Sequence, residues 1–319
     1  MELLKFDYLI IESSFRIVGI GMSLSGEIKK LADISSRGGR VPPIYLYLIF
    51  ILPGFVFSVD RIGHFNYIPF ILVSITIIPL IAATNLFDDY FDYVKGVDKA
   101  DSPNTHYRHH PIFHYGVTER YLIEWAVVFS AIYLLMSFIL SLRYGLILNL
   151  IAAIGLLLGY GYTGPPIGYK YLGTGEIGIF FSTIAAGEYV SFAAAGRFYI
   201  SSLPFLVPFS LIIALLLFIG NYRDLESDQR SGFKTLAVSL GKKRSEFFSI
   251  SVFTLFYGAI VLLSVLKVYG VLSLIDLATA PFAYYLSIMW SRRDSSGFEK
   301  FAGPYLFGIL MLLIILLIL

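Results

Sequence analysis

The chain contains no cysteine and few charged residues: Asp, Glu, Lys and Arg make up 14% of its 319 residues. Without cysteine it cannot form disulfides, zinc–thiolate sites or iron–sulfur clusters, and it offers no thiol nucleophile. Soluble domains carry about 25% charged residues, so the deficit argues against a water-soluble enzyme. A net charge of +2 gives no indication of a nucleic-acid partner. The class that remains is a polytopic membrane protein.

Long apolar runs take the place of the missing charge. Hydrophobic residues make up 57% of the chain, and runs of about 20 nearly uncharged residues, the length that a helix needs to cross a bilayer, recur along it. These runs predict an all-α polytopic membrane protein with nine transmembrane helices around a central cavity. The predicted spans are 41–59, 67–87, 121–142, 144–163, 175–196, 203–221, 247–266, 270–290 and 301–319.

Lys and Arg are distributed unevenly among the predicted connections. The N-terminal segment and the connections after the even-numbered spans hold 20 of them, whereas the other side holds 4. The positive-inside rule therefore predicts that the N-terminus and these connections face the cytoplasm, with the cavity opening to that side. Residues 1–40 are predicted to be a cytoplasmic or interfacial segment, and residues 41–319 the nine-helix domain in the cell membrane.

An acidic motif ends the second predicted span. It consists of an asparagine followed by three aspartates, namely Asn85, Asp88, Asp89 and Asp92. At helical spacing Asn85, Asp89 and Asp92 share one face, with Asp88 on its flank. Carboxylates clustered in this way repel one another unless cations neutralise them. Oxygen ligands without His or Cys suit magnesium, which often bridges to substrate phosphates.

A second motif of the same kind ends the sixth span, 136 residues later. Asn221, Asp224 and Asp228 share a helical face at positions i, i+3 and i+7. Because both motifs are predicted on the same side, they can face each other across a cavity, each holding one magnesium ion. Two ions that clamp one diphosphate would neutralise the charge that builds up as its C–O bond breaks. Two separate solvated acidic loops are the alternative interpretation.

These residues resemble the motifs of the UbiA superfamily of intramembrane prenyltransferases. The first motif is similar from residue 85 to residue 98, and the second from residue 221 to residue 237. The stretch 162–176, which contains Tyr-Thr-Gly-Pro-Pro, resembles the branch that prenylates 1,4-dihydroxy-2-naphthoate on the way to menaquinone. The resemblance covers about residues 41–319.

The resemblance implies a prenyltransferase that moves a polyprenyl group from its diphosphate, for example geranyl or geranylgeranyl diphosphate, to a lipid-soluble aromatic acceptor. Two Mg²⁺ ions are the expected cofactors, the bilayer the surrounding medium, and menaquinone biosynthesis the pathway. Geranylgeranylglyceryl phosphate and 4-hydroxybenzoate stay open as acceptors. A cation transporter is the non-enzymatic alternative, although transporter sites usually lie near the bilayer midplane rather than at helix ends.

A bound diphosphate also needs cationic partners, and an allylic cation is stabilised by an aromatic face. The candidates for the diphosphate are Lys170, Arg223, Lys234 and Arg108. Tyr162 is the first aromatic candidate, and Tyr169 and Tyr171 are secondary ones. The predicted catalytic residues are Asp89, Asp92, Asp224, Asp228, Lys170 and Tyr162. The proton of the acceptor is expected to pass to Glu176 or to a metal-bound carboxylate.

Four histidines cluster after the second span, at positions 106, 109, 110 and 114. Residues 106, 110 and 114 would share a helical face and could suggest zinc, but Pro111 interrupts a helix there. A loop that covers the diphosphate and a plain solvated loop are the interpretations left open.

Overall fold

The computed structural model describes Gly26 and residues 44–63, 66–100, 109–290 and 295–319. Apart from Gly26, the predicted N-terminal segment 1–40 lies outside the described residues, and so does Arg108. The described part of the chain is almost entirely helical and contains no β-strand. The all-α prediction is therefore confirmed for these residues.

The helices follow the apolar runs closely. Within the described ranges the α-helices are α1 (Ile44–Ile62), α2 (Tyr67–Val94), α3 (Pro111–Tyr115), α4 (Glu119–Tyr144), α5 (Ile147–Gly161), α6 (Gly175–Ala195), α7 (Ser202–Arg223), α8 (Leu225–Ser231), α9 (Leu236–Val265), α10 (Ala280–Trp290) and α11 (Ser295–Ile318). Two 3₁₀ segments, Tyr169–Leu172 and Val271–Thr279, precede α6 and α10.

Six described helical segments are long and apolar enough to cross a membrane: 67–94, 119–144, 175–195, 202–223, 236–265 and 271–289. Helix α4 also exposes a row of large apolar side chains, including Leu135, Ile139 and Leu142, as a lipid-facing surface requires. These features indicate a multi-pass membrane protein. The apolar helices 147–161 and 302–318 are shorter, and the count of nine spans stays a prediction.

Helix α7 lies at the centre of the largest apolar cluster. Its fully buried residues Phe205, Phe209 and Phe218 pack with residues of α9 and α11. Helices α1 and α6 approach each other backbone to backbone, since a Cβ placed on Gly54 would overlap the main chain of Gly187. Small residues permit such close contacts between membrane helices. The packing holds α2, α6 and α7, which carry most of the site, around one cavity.

Candidate active site

Both acidic motifs line a single cavity of about 530 Å³. Helix α2 continues past its apolar part to Val94, so the first motif is helical and its side chains are held rigidly. The second motif begins at the end of α7 and continues into α8. The motif residues in the cavity wall are Asn85, Asp88, Asp92, Asn221, Asp224 and Asp228. Segments that are 136 residues apart in sequence thus contribute to one site.

The structure corrects the predicted face of the first motif. Asp88 lines the cavity, whereas Asp89 does not. Around an ideal helix, residues 85, 88 and 92 occupy an arc about 60° wide, and so do residues 85, 89 and 92. Spacing alone therefore did not choose between them, and the predicted face with Asp89 on it and Asp88 on its flank was wrong. Asp89 is 1% exposed and lies behind the cavity wall.

Lys170 lies between the two cavity carboxylates of α2. Its Nζ atom is 2.7 Å from Asp88 Oδ1 and 2.5 Å from Asp92 Oδ2. Burial alone would lower the pKa of Lys170, but the carboxylates of Asp88 and Asp92 hold it well above its ordinary value. The side chain is therefore a cation, and it neutralises part of the negative charge of the first motif.

Two glycines position the short 3₁₀ segment that carries Lys170. Gly168 and Gly173 flank this segment with φ angles of +53° and +70°, a left-handed conformation that other residues adopt rarely. A Cβ on Gly173 would also lie 3.0 Å from the carbonyl oxygen of Lys234. The N–H of Lys170 donates a 2.8 Å hydrogen bond to the carbonyl of Tyr162, which ties the segment to the end of α5.

Tyrosines surround the Lys170 ammonium. Tyr162 lines the cavity, and its ring centroid lies 5.3 Å from Lys170 Nζ. Tyr171 donates a 2.8 Å hydrogen bond to Asp92 Oδ1, and Lys95 Nζ lies 3.5 Å from the centroid of the Tyr171 ring. Tyr171 was a secondary aromatic candidate after Tyr162, whereas no role in the site was predicted for Lys95. Both residues lie inside the stretches 85–98 and 162–176 that resemble the family, and this was the signal that the sequence offered.

The second motif carries its own cation. Arg223 donates two hydrogen bonds to the Asp224 carboxylate, with Nε–Oδ1 and Nη2–Oδ2 distances of 2.8 and 2.6 Å. Burial raises the pKa of Asp228 to about 7, and the Asp224 carboxylate acts in the same direction. The Asp92 carboxylate of the first motif also raises the pKa of Asp228, which reflects how closely the two motifs approach.

Three other residues were predicted to bind the diphosphate or to accept the proton of the acceptor. Lys234 is not among the residues that line the cavity, and Arg108 lies outside the described residues. Glu176 is 4% exposed and accepts a 2.9 Å hydrogen bond from Asn221 Nδ2, so it contacts the second motif from behind.

A family model described as the UbiA prenyltransferase family matches residues 47–314. The chain belongs to the UbiA prenyltransferase family. The match includes every described residue of the cavity wall, and the predicted family is confirmed.

Individual relatives agree with this assignment. The 1,4-dihydroxy-2-naphthoate octaprenyltransferase of Bacillus subtilis is 29% identical over 165 residues, which cover 50% of this chain and 51% of that protein. The chain thus spans about half the length of the curated relatives it matches.

Two solved structures share the fold of this UbiA-family chain. A digeranylgeranylglyceryl phosphate synthase is 19% identical with a TM-score of 0.66, over 91% of this chain and 99% of its own. A UbiA homologue from Archaeoglobus fulgidus, bound to GPP and Mg²⁺, is 15% identical with a TM-score of 0.58. The comparison covers 88% of this chain and 99% of that one. At these identities the likeness establishes the fold alone.

Proposed function

We propose that the chain is a magnesium-dependent prenyltransferase that transfers a polyprenyl group from its diphosphate to 1,4-dihydroxy-2-naphthoate. The observation that carries the proposal is the cavity that both acidic motifs share with Lys170, Arg223 and Tyr162. The Bacillus subtilis relative, named for the same reaction class, supports the naphthoate acceptor. The Archaeoglobus fulgidus structure, which binds GPP and Mg²⁺, supports the donor and the metal.

The donor atoms of the cavity fit magnesium. The two motifs contribute four aspartates and two asparagines, and no histidine is among the described residues that line the cavity. Hard oxygen ligands of this kind are those that Mg²⁺ prefers. Asn85, Asp88 and Asp92 would hold one ion, and the motif that begins at Asn221 would hold a second. Bound magnesium supplies positive charge that stabilises the departing diphosphate.

Lys170 and Arg223 are the proposed cationic partners of the diphosphate. Lys170 is paired with Asp88 and Asp92 of the first motif, and Arg223 is paired with Asp224 of the second. Because Lys170 contacts the same carboxylates that would bind metal, metal binding and these ion pairs compete. The Lys170 ammonium would then be available to the diphosphate, where its charge would favour departure of the leaving group.

Tyr162 and the apolar wall would protect the allylic cation that ionisation produces. The Tyr162 ring lines the cavity close to the acidic motifs, and an aromatic face stabilises a cation without forming a bond to it. Water must be kept away, since it would convert the cation to an alcohol. Most of the remaining wall is apolar, with Leu80, Ile81 and Leu216 among its residues.

The apolar part of the cavity is the proposed site of the prenyl tail. Along α2 the wall extends from Asp92 back to Ile77, a distance of about 22 Å at a rise of about 1.5 Å per residue. Tyr133 and Tyr189 line the same cavity, with ring centroids 6.3 Å apart. Tyr189 is further held by a 2.9 Å hydrogen bond to Ser137. These two rings would limit the length of tail that the cavity accepts.

Replacing Tyr189 with alanine should shift donor preference toward longer prenyl diphosphates. The deletion opens space beside Tyr133, so the ratio of kcat/KM for geranylgeranyl to geranyl diphosphate should rise at least about tenfold, as expected for a resized apolar pocket. Y189F is the matched control, because it keeps the ring and removes only the contact with Ser137. An unchanged ratio in a folded Y189A protein would show that Tyr189 does not limit the tail.

The direct test measures diphosphate release by the detergent-purified protein with geranylgeranyl diphosphate and Mg²⁺, with and without 1,4-dihydroxy-2-naphthoate. The expected result is naphthoate-dependent release together with a prenylated product, both abolished by a chelator and restored by Mg²⁺. Release that instead depends on 4-hydroxybenzoate or geranylgeranylglyceryl phosphate would reject the naphthoate acceptor. Full turnover in the presence of a chelator would reject the role of magnesium.

We further propose nine spans in the cell membrane, with the N-terminus and the cavity opening on the cytoplasmic side. The uneven distribution of Lys and Arg supports this orientation. The chain has no cysteine, so single cysteines can be introduced cleanly. In intact cells an impermeant maleimide should label K267C, just beyond the end of α9, and not K243C in its N-terminal part; both positions are exposed. The reverse pattern would invert the assignment.

A further inference from the structure

A second group of titratable side chains lies behind the first motif. Asp89, Asp98 and His110 bring ligand atoms within 4.8 Å of one another. Their exposed fractions are 1%, 9% and 1%. Nε2 of His110 lies 3.6 Å from Asp98 Oδ2. Two carboxylates buried this close together repel each other, so a hydrogen-bond donor or a cation between them is stabilising.

The other ring nitrogen of His110 distinguishes these two possibilities. His110 is the N-cap of α3, and its Nδ1 accepts a 3.3 Å hydrogen bond from the N–H of Ile112. A ring nitrogen that accepts carries no proton, so a neutral imidazole in this position carries its proton on Nε2. Histidines that bind metals usually donate from the second nitrogen, which is the opposite arrangement. The ring therefore presents a proton to the aspartates.

The cluster is connected to the cavity through the backbone. The N–H groups of Val97 and Asp98 both donate to the carbonyl of Asp92, at 2.8 and 3.2 Å. Asp98 thus contacts His110 through its side chain and the cavity residue Asp92 through its main chain. The rings of Phe113 and Tyr93 lie 4.8 and 6.5 Å from the imidazole and enclose it. Movement of His110 would be transmitted to the end of α2.

We propose that His110 is a positioning residue for the first acidic motif. Its Nε2 proton, directed at Asp98 and Asp89, holds the turn after α2 and thereby orients the carboxylates of Asp88 and Asp92. This inference rests on the proposed function, because it gives His110 a role in the binding of the metal–diphosphate. It also gives Asp89, which does not line the cavity, a role within the motif.

Two substitutions test the roles of the two ring nitrogens of His110 separately. H110N places an amide near the Nδ1 position, so it preserves the cap of α3 and removes the donor that faces the aspartates. H110Q places its amide nitrogen near the Nε2 position and removes the cap. H110N should weaken binding of Mn²⁺ in the presence of inorganic diphosphate about 10- to 100-fold, as loss of a supporting contact does at metal sites. H110Q should stay within about threefold of the wild type.

The measurement is the free Mn²⁺ signal in electron paramagnetic resonance, titrated with no prenyl donor present. H114N is the matched control, because His114 is exposed on the same short helix. D98N, which weakens the acceptor, should reproduce the loss seen with H110N and provides a second variant if H110N does not fold. Turnover measured in parallel should show a higher Mg²⁺ requirement in H110N, with kcat largely recovered at saturating Mg²⁺.

Each outcome bears on the inference separately from the proposed function. Wild-type binding in H110N or D98N, or equal losses in H110N and H110Q, would overturn it. One tightly bound transition metal per purified wild-type chain, absent from both His110 variants, would overturn it in favour of a metal centre. Weak binding in H110N together with no turnover by the wild type would support the positioning role and reject the proposed reaction.

Discussion

Replacing Asp92 or Asp228 with asparagine should lower kcat for diphosphate release by about 100- to 1000-fold, the range found when a preorganised charge-stabilising group is removed. Each substitution removes one carboxyl group from one side of the shared cavity and changes the side-chain volume little. The two proposed magnesium sites act on the same diphosphate leaving group, so the loss of either aspartate alone should lower kcat severely. Product formation under single-turnover conditions, measured at saturating Mg²⁺, reports the effect on chemistry.

The matched control for these variants is E226Q. Glu226 lies on α8 close to Asp228 in sequence, but its side chain is 69% exposed and contacts Lys242 at 3.0 Å. Changing this carboxylate should leave kcat within about twofold, as is usual for exposed ion pairs. If E226Q and D228N lose activity equally, the effect reflects general acidity of the loop rather than the cavity geometry, and the assignment of Asp228 fails.

Replacing Lys170 with methionine should have the second largest effect. The variant loses the ammonium that contacts Asp88 and Asp92, and it loses the proposed cationic partner of the diphosphate. We expect kcat/KM to fall about 100-fold or more, the scale of one strong electrostatic contact in a desolvated site. K170R should recover little of the lost kcat/KM. The guanidinium group is planar and larger than an ammonium, so it does not reproduce the two contacts that Lys170 makes.

Thermal unfolding distinguishes the two roles of Lys170. Without Mg²⁺ the methionine variant leaves the buried Asp92 and the half-buried Asp88 without the Lys170 cation, so its melting temperature should be lower than that of the wild type. Added Mg²⁺ should raise the melting temperature of the variant more than that of the wild type. K243M, at an exposed position of α9, should change neither property. A metal response identical to that of the wild type would contradict the proposed competition between Lys170 and metal.

The first motif shows where prediction from sequence stopped. The run from Asn85 to Asp92 identified an acidic helix end, but two sets of three residues fit one helical face equally well. Packing of α2 against its neighbours turned Asp88 toward the cavity and left Asp89 beside Asp98 and His110. The rotation of a helix about its axis depends on long-range contacts, which residue spacing does not contain.

The histidine cluster shows the same limit. The sequence left a covering loop and a solvated loop equally open, whereas His110 is buried and caps a helix that begins at Pro111. Pro111 does not block structure there, because proline is well suited to the first turn of a helix. His109 and His114 stack on each other with centroids 4.8 Å apart. Burial distinguishes His110 from its neighbours, and it depends on the tertiary contact with Tyr93 as well as the local contact with Phe113.

The sequence by itself determined that this is a helical membrane protein of the UbiA family with two acidic motifs. Apolar run length, scarcity of charge and local motif spacing are properties of short segments, so they can be read without knowledge of the fold. Only the tertiary structure decided that Asp88 rather than Asp89 lines the cavity, that Lys170 lies between Asp88 and Asp92, and that His110 lies behind them. These relations join segments far apart in the chain, and they exist only once the helices have packed against one another.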